Sequence, residues 1–151
     1  MVTSLNVANT LILRAMREKK PISPMKLQKL LYMTYACYYA EVGAPLFSER
    51  FEAWEHGPVV PVVYHEFKRF QSFGIDNPHV DSDGNATYVL EKGVFGDCLE
   101  TVWEKYSPLS AIKLSKITHE DGSAWSRKRL GEILDDKDII EDGKRWFLES
   151  A

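Results

Sequence analysis

This chain has little cysteine, no long apolar run and no strong charge imbalance, and each shortage removes a class of protein. Its two cysteines, Cys37 and Cys98, stand far apart and without partners at metal-ligand spacing. That pattern predicts buried thiols, not a disulfide scaffold or a redox pair. No stretch reaches the ~18 apolar residues of a membrane helix; the best candidate, residues 30–40, carries four tyrosines and is stopped by Glu41. The beginning of the sequence lacks a basic stretch leading into an apolar run and a small-residue cleavage site, so no secretory signal is expected and the expected location is the cytoplasm. A net charge of −3 argues against nucleic acid as the main partner, while leaving room for a local basic face.

What is present is ordinary globular material, 44% hydrophobic and 27% charged over 151 residues. A chain of this size buries roughly 70% of its unfolded surface as one domain, here expected to span 1–151. Residues 4–18 place Leu5, Ala8, Leu11, Ile12, Ala15 and Met16 on one helical face, with Asn9, Arg14, Arg17 and Glu18 away from it. The next helix runs from Pro24 to about Val42. Ser23 caps it, Pro24 suits its first turn, and Gly43 with Pro45 ends it. Being apolar nearly all round, it is the expected central helix of the fold.

Phe51 to His56 reads as a short strand broken by Gly57-Pro58, and a helix follows with Val63, Phe67 and Phe70 inward. Residues 86–90 alternate well enough for a second strand, so the two are expected to pair. Helices are further predicted over 92–106, with Val94, Phe95, Leu99, Val102, Trp103 and Tyr106 inward, and from Ser110 to the Glu120-Asp121-Gly122 turn, with Ile112, Leu114, Ser115 and Ile117 inward. A last helix, capped by Asp136 or Asp138, gathers Ile139, Ile140, Gly143, Trp146 and Phe147 on one face. The fold class is therefore mostly α (α+β): a helical bundle around a central apolar helix, with a small two-stranded antiparallel sheet.

Chemistry is sparse. Tyr64-His-Glu-Phe-Lys-Arg69 misses the zinc-protease helix motif because Arg69 stands where a second histidine ligand is needed. His119-Glu120-Asp121 groups three polar side chains at a helix end, where such residues serve as caps. There is no phosphate loop, dinucleotide glycine pattern or nucleophile elbow, so no catalytic, cofactor-binding or metal-binding residue is nominated and the chain is not expected to be an enzyme. A spatially assembled site around His56, His119 and Glu120 is the enzymatic rival. A second rival is a small DNA-binding regulator, in which 110–119 and 124–130, with Arg127, Lys128 and Arg129, form a helix-turn-helix. From Glu132 onward, seven acidic residues against three basic ones would repel phosphate.

Two features suggest protein contact instead. Lys26 and Lys29 lie in the first turns of the central helix, where the dipole favours acids, and read either as solvated lysines or as contacts for an acidic partner surface. The corner from Trp54 to Tyr64, stiffened by Gly57, Pro58 and Pro61, reads either as an inward Trp on the central helix or as a low-entropy binding platform. An intermediate arrangement puts Trp54 in the core and turns His56, Gly57, Pro58 and Val59 outward.

These segments together carry a resemblance. Ile22-Ser-Pro-Met-Lys-Leu-Gln-Lys-Leu-Leu-Tyr32, Pro45-Leu46-Phe47, and Phe51-Glu-Ala-Trp-Glu-His-Gly-Pro-Val-Val-Pro61 with Tyr64 resemble the Panacea domain of SocA-like antitoxins and GepA-type phage-associated proteins. Leu109-Ser-Ala-Ile-Lys-Leu-Ser-Lys-Ile-Thr-His119 with Trp125 is similar to that family's second block. The resemblance implies a helical domain that neutralises a toxin encoded by a neighbouring gene through direct binding, in some members also delivering it to a ClpXP-type protease. It implies no catalytic residues. The expected contact residues are Lys26, Lys29, Trp54, His56, Gly57, Pro58, Val59 and Tyr64.

Overall fold

The computed structural model describes residues 2–148. Helix α1 (Ser4–Arg17) starts at a reciprocal cap: Thr3 Oγ1 accepts from the Asn6 N–H, and Asn6 Oδ1 accepts from the Thr3 N–H, each at 3.2 Å. Helix α2 (Pro24–Val42) opens with Ser23 Oγ accepting from the Lys26 N–H at 3.2 Å and closes at Gly43, whose φ of 79° lies in the left-handed region. Its residues 27–37 are buried without interruption. A helix so enclosed must be surrounded, and α2 packs against α1, α4 (Gly93–Tyr106), α5 (Ala111–Thr118) and α6 (Asp136–Gly143). One hydrophobic cluster runs from Val7 on α1 through α2 to Trp146, which lies in a wider turn, Lys144–Leu148, continuing α6.

Helix α6 approaches α2 closely because Gly143 has no side chain. A methyl group there would sit 2.1 Å from the backbone oxygen of Ala36. Near this crossing, Cys37 and Cys98 meet between α2 and α4 as buried free thiols, with Sγ of Cys37 donating to Sγ of Cys98 at 3.0 Å.

The sheet is antiparallel and two-stranded, but its pairing differs from the expected one. Strand β1 (Glu52–Trp54) pairs with β2 (Gly57–Val59), in the register Glu52 to Val59, Ala53 to Pro58 and Trp54 to Gly57. Pro58 is tolerated because the backbone of Ala53 faces the other way: its N–H donates to Glu132 O at 2.8 Å and its C=O accepts from the Gly131 N–H at 2.6 Å. Residues 131–134 thus cover the outer edge of β1. The predicted strand at 86–90 is instead an irregular segment tied to α1 by side chains. Asn9 Nδ2 donates to the carbonyls of His79 (2.9 Å) and Thr87 (3.2 Å), and Thr10 Oγ1 accepts from the Val89 N–H at 2.8 Å. Asn9, expected on the polar face, is therefore buried.

The helix-turn-helix does not form. Helix α5 begins as expected, with Ser110 Oγ accepting from the Lys113 N–H, but 124–130 contains only a single 3₁₀ turn, Trp125–Arg127. Arg127 and Lys128 pair with Asp138 (3.7 Å) and Asp135 (3.1 Å), so acidic side chains already face this basic segment. Helix α3 (Pro61–Phe67) runs on into a 3₁₀ turn, Lys68–Phe70, where Arg69 lies over the Phe70 ring. Met16, Val94 and Ile112 also depart from expectation, since all three are exposed. The N-cap position of α6 is Asp135, which makes no side-chain capping bond, and Asp136 and Asp138, the expected caps, lie in the first turn instead.

Candidate binding cleft

A cleft of about 340 Å³ lies where the start of α2, the β1–β2 hairpin and α3 meet. Its walls are Met25, Trp54, Val59 and Tyr64, and its rim carries Glu55, His56, Lys68 and Gln71. Each element has a local reason to be there. Gln28 reaches from α2 and spends both ends of its amide on one residue: Oε1 accepts from the Val60 N–H at 3.0 Å and Nε2 donates to the Val60 carbonyl at 3.5 Å. That clamp fixes the start of α3. Trp54 packs edge-on against Tyr64 at 4.9 Å and donates its Nε1–H to Glu52 Oε1 at 3.0 Å.

The hairpin is held from its other side by the second of the two sequence blocks singled out above, 109–125. Trp125 donates its Nε1–H to the carbonyl of Trp54 at 2.7 Å and stacks flat on His119 at 3.8 Å, while Ser115 Oγ donates to the carbonyl of His56 at 2.9 Å. The two sequence blocks singled out above thus build one corner.

Lys29 lies at the floor of this cleft, 1% exposed. Among the described residues no carboxylate pairs with its ammonium, and burial alone pulls its pKa down to about 8. Gly57 makes room for it. A methyl group on Gly57 would meet Lys29 Cε, Lys29 Nζ and Thr118 Oγ1 at 3.0 Å each, and the φ of 126° disfavours any side chain there. The neighbouring His119 is held below the usual imidazole range by burial first, then by the charges of Lys29 and His56, and its Nε2 is buried without a partner among the described residues.

The structure sorts the nominated residues into four groups. Lys29, Trp54, Val59 and Tyr64 come together in the cleft, with His56 at its rim. Gly57, Pro58 and Val59 are buried, not turned outward: Gly57 faces Lys29, Pro58 stands opposite Ala53, and only His56 and Glu55 protrude. Trp54 is half-buried. Lys26 lies apart, half-buried, with Nζ donating to the carbonyl of Ser107. Met25, Gln28, Lys68 and Gln71 also line the cleft and were not nominated. The available signal was the polar pair Gln28-Lys29 inside an otherwise apolar run.

Histidine placement bears on the rival site as well. His56 and His119 are near enough to influence each other, whereas Glu120 is exposed. Among the described residues no group of three or more His, Cys, Asp or Glu side chains is arranged to hold a metal, and no helix is long and apolar enough to cross a membrane.

The fold is thus a helical module with an aromatic-walled cleft over a lysine that has no ion-pair partner among the described residues. The sequence model described as "Antitoxin SocA-like, Panacea domain" matches residues 27–126, which includes most of α2, the hairpin, α3, α4, α5 and Trp125. The chain belongs to this family. It is 30% identical over 138 residues to "Antitoxin SocA" of Caulobacter vibrioides (strain NA1000 / CB15N), an overlap covering 79% of this chain and 66% of that protein. The chain thus spans just under two thirds of the length of that relative. No solved structure matches it.

Proposed function

We propose that this protein is a cytoplasmic antitoxin, acting as one unit across 1–151, that neutralises a toxin encoded by a neighbouring gene by binding it directly. Family membership supports the antitoxin role, and the observation that carries direct binding is the cleft with Lys29 at its floor. An open, aromatic-walled hollow with one unsatisfied charge is the kind of surface that gains most when a partner covers it. Neutralisation of this type is stoichiometric and needs no turnover by the antitoxin. The likeness to SocA extends the proposal to handing the captured toxin to a ClpXP-type protease.

Co-expression tests the first part. The neighbouring open reading frame should arrest growth alone, and this chain should restore growth while co-purifying with its product. A neighbour that is harmless alone, or that stays toxic beside this chain, rejects the proposal. Delivery to a protease requires that the toxin's half-life fall when both this chain and the protease are present; an unchanged half-life removes that part only.

A further inference from the structure

We propose that the cleft recognises a single acidic side chain of the partner, Asp or Glu, set among apolar neighbours, with its carboxylate against Lys29 Nζ. This inference rests on the binding-protein reading and names what the partner must present. Three observations lead to it. Lys29 is 1% exposed and lines the cleft, and among the described residues it has no ion-pair partner. An ammonium at the bottom of a cleft without a counter-charge is costly, and an anion that arrives from outside offsets that cost.

The walls then limit what that anion can be. Met25, Trp54, Val59 and Tyr64 are apolar or aromatic surfaces, and Gln28, the buried amide beside them, is fully engaged by Val60. A free anionic metabolite would need several directed donors to fix its orientation, and the floor of the cleft supplies one point charge. One carboxylate flanked by apolar contacts matches that lining. The rim carries Lys68 and His56 against Glu55, so the approach is mixed in charge and only the floor selects for an acid.

Gly57 leaves the space that the end of Lys29 fills. Gly57, Lys29 and Thr118 converge within 3.0 Å of where a Gly57 methyl group would stand, which fixes the ammonium at the end of the hairpin. Thr118 Oγ1 is itself committed to the Ser115 carbonyl at 3.0 Å, leaving Nζ as the free donor.

Two measurements on the full chain test this. In the first, the blocked peptides acetyl-Leu-Glu-Leu-amide and acetyl-Leu-Gln-Leu-amide are titrated while amide and indole resonances of Trp54, His56 and Gly57 are followed. The Glu peptide should give saturable shifts at millimolar concentration and the Gln peptide none. Equal shifts from both peptides, or tighter binding of inorganic phosphate than of the Glu peptide, would overturn the carboxylate assignment without any variant having to fold. In the second, affinity for the neighbouring gene's product is compared between wild type and Lys29→Met, which should bind at least ~30-fold more weakly, as expected when one member of a buried charge pair is removed. Wild-type binding that survives Lys29→Met sinks this inference and leaves the antitoxin proposal standing. Peptide binding without binding of the neighbouring product does the reverse.

Discussion

Two charged side chains are buried among the described residues, and they are treated in opposite ways. Asp142, on α6, is 1% exposed and fully provided for: its carboxylate accepts from Tyr32 OH at 2.6 Å, from the Ala124 N–H at 3.2 Å and from Arg145 Nη2 at 2.8 Å. Burial pushes its pKa up, and these three hydrogen bonds pull it back. Lys29, equally buried on α2, has no such set among the described residues. The first charge ties α2, α6 and the 3₁₀ turn together. The second has no ion-pair partner among the described residues, although its apolar stem is packed in the core. A charge held at a cost to stability is the feature on which the proposed carboxylate contact rests.

The largest effect is expected from breaking the satisfied site. Asp142→Ala strands the Tyr32 hydroxyl and the Ala124 N–H in the core and should cost ~3–5 kcal/mol, read as a lower urea midpoint. The unsatisfied site should respond with the opposite sign. Lys29→Met removes a buried ammonium whose pKa has fallen from 10.5 to about 8, and should raise stability by up to ~3 kcal/mol at neutral pH.

A pH profile sharpens the same contrast. Because the folded-state pKa of Lys29 lies below the unfolded value, the unfolded chain holds the proton more tightly between pH 8 and 10.5, and stability should rise across that window by the amount the charge costs below it. His56, His119, Glu55, Tyr64 and Lys68 also face this region. Subtracting the Lys29→Met profile from wild type isolates the lysine, and a flat difference would mean that Lys29 is not desolvated. The smallest effect belongs to the support of the corner. Trp125→Phe loses the hydrogen bond to the Trp54 carbonyl and should cost ~1 kcal/mol, checked by thermal unfolding.

Much of the framework was legible in the sequence. Ser23, Pro24 and Gly43 bound α2 as their backbone preferences dictate, and its unbroken apolar surface identified it as the central helix. Ser110 likewise starts α5. What was not legible depends on contacts distant along the chain. Alternation at 86–90 has the period of a strand, but Asn9 and Thr10, some eighty residues earlier, satisfy that backbone in place of a neighbouring strand. Gly57-Pro58 looks like a strand breaker, yet it forms β2 because 131–132 take the bonds of Ala53 that a proline could not. The meeting of Cys37 and Cys98 had no local sign.

The cleft shows the same division. Trp54, Val59 and Tyr64 could be gathered from a stiff, aromatic stretch, and they do line it. Their relation to Lys29 could not, since helix periodicity gives the angle of a residue around α2 but not what the hairpin lays over it. Lys26, three residues earlier, shares the composition and differs in fate: its Nζ reaches the Ser107 carbonyl.

The most direct test of the account is to measure, on Lys29→Met and wild type side by side, both unfolding free energy and affinity for the product of the neighbouring gene. The variant is expected to be more stable and to bind at least ~30-fold more weakly. A variant that is less stable than wild type and binds the partner equally well would contradict it, because Lys29 would then serve the fold and not the partner.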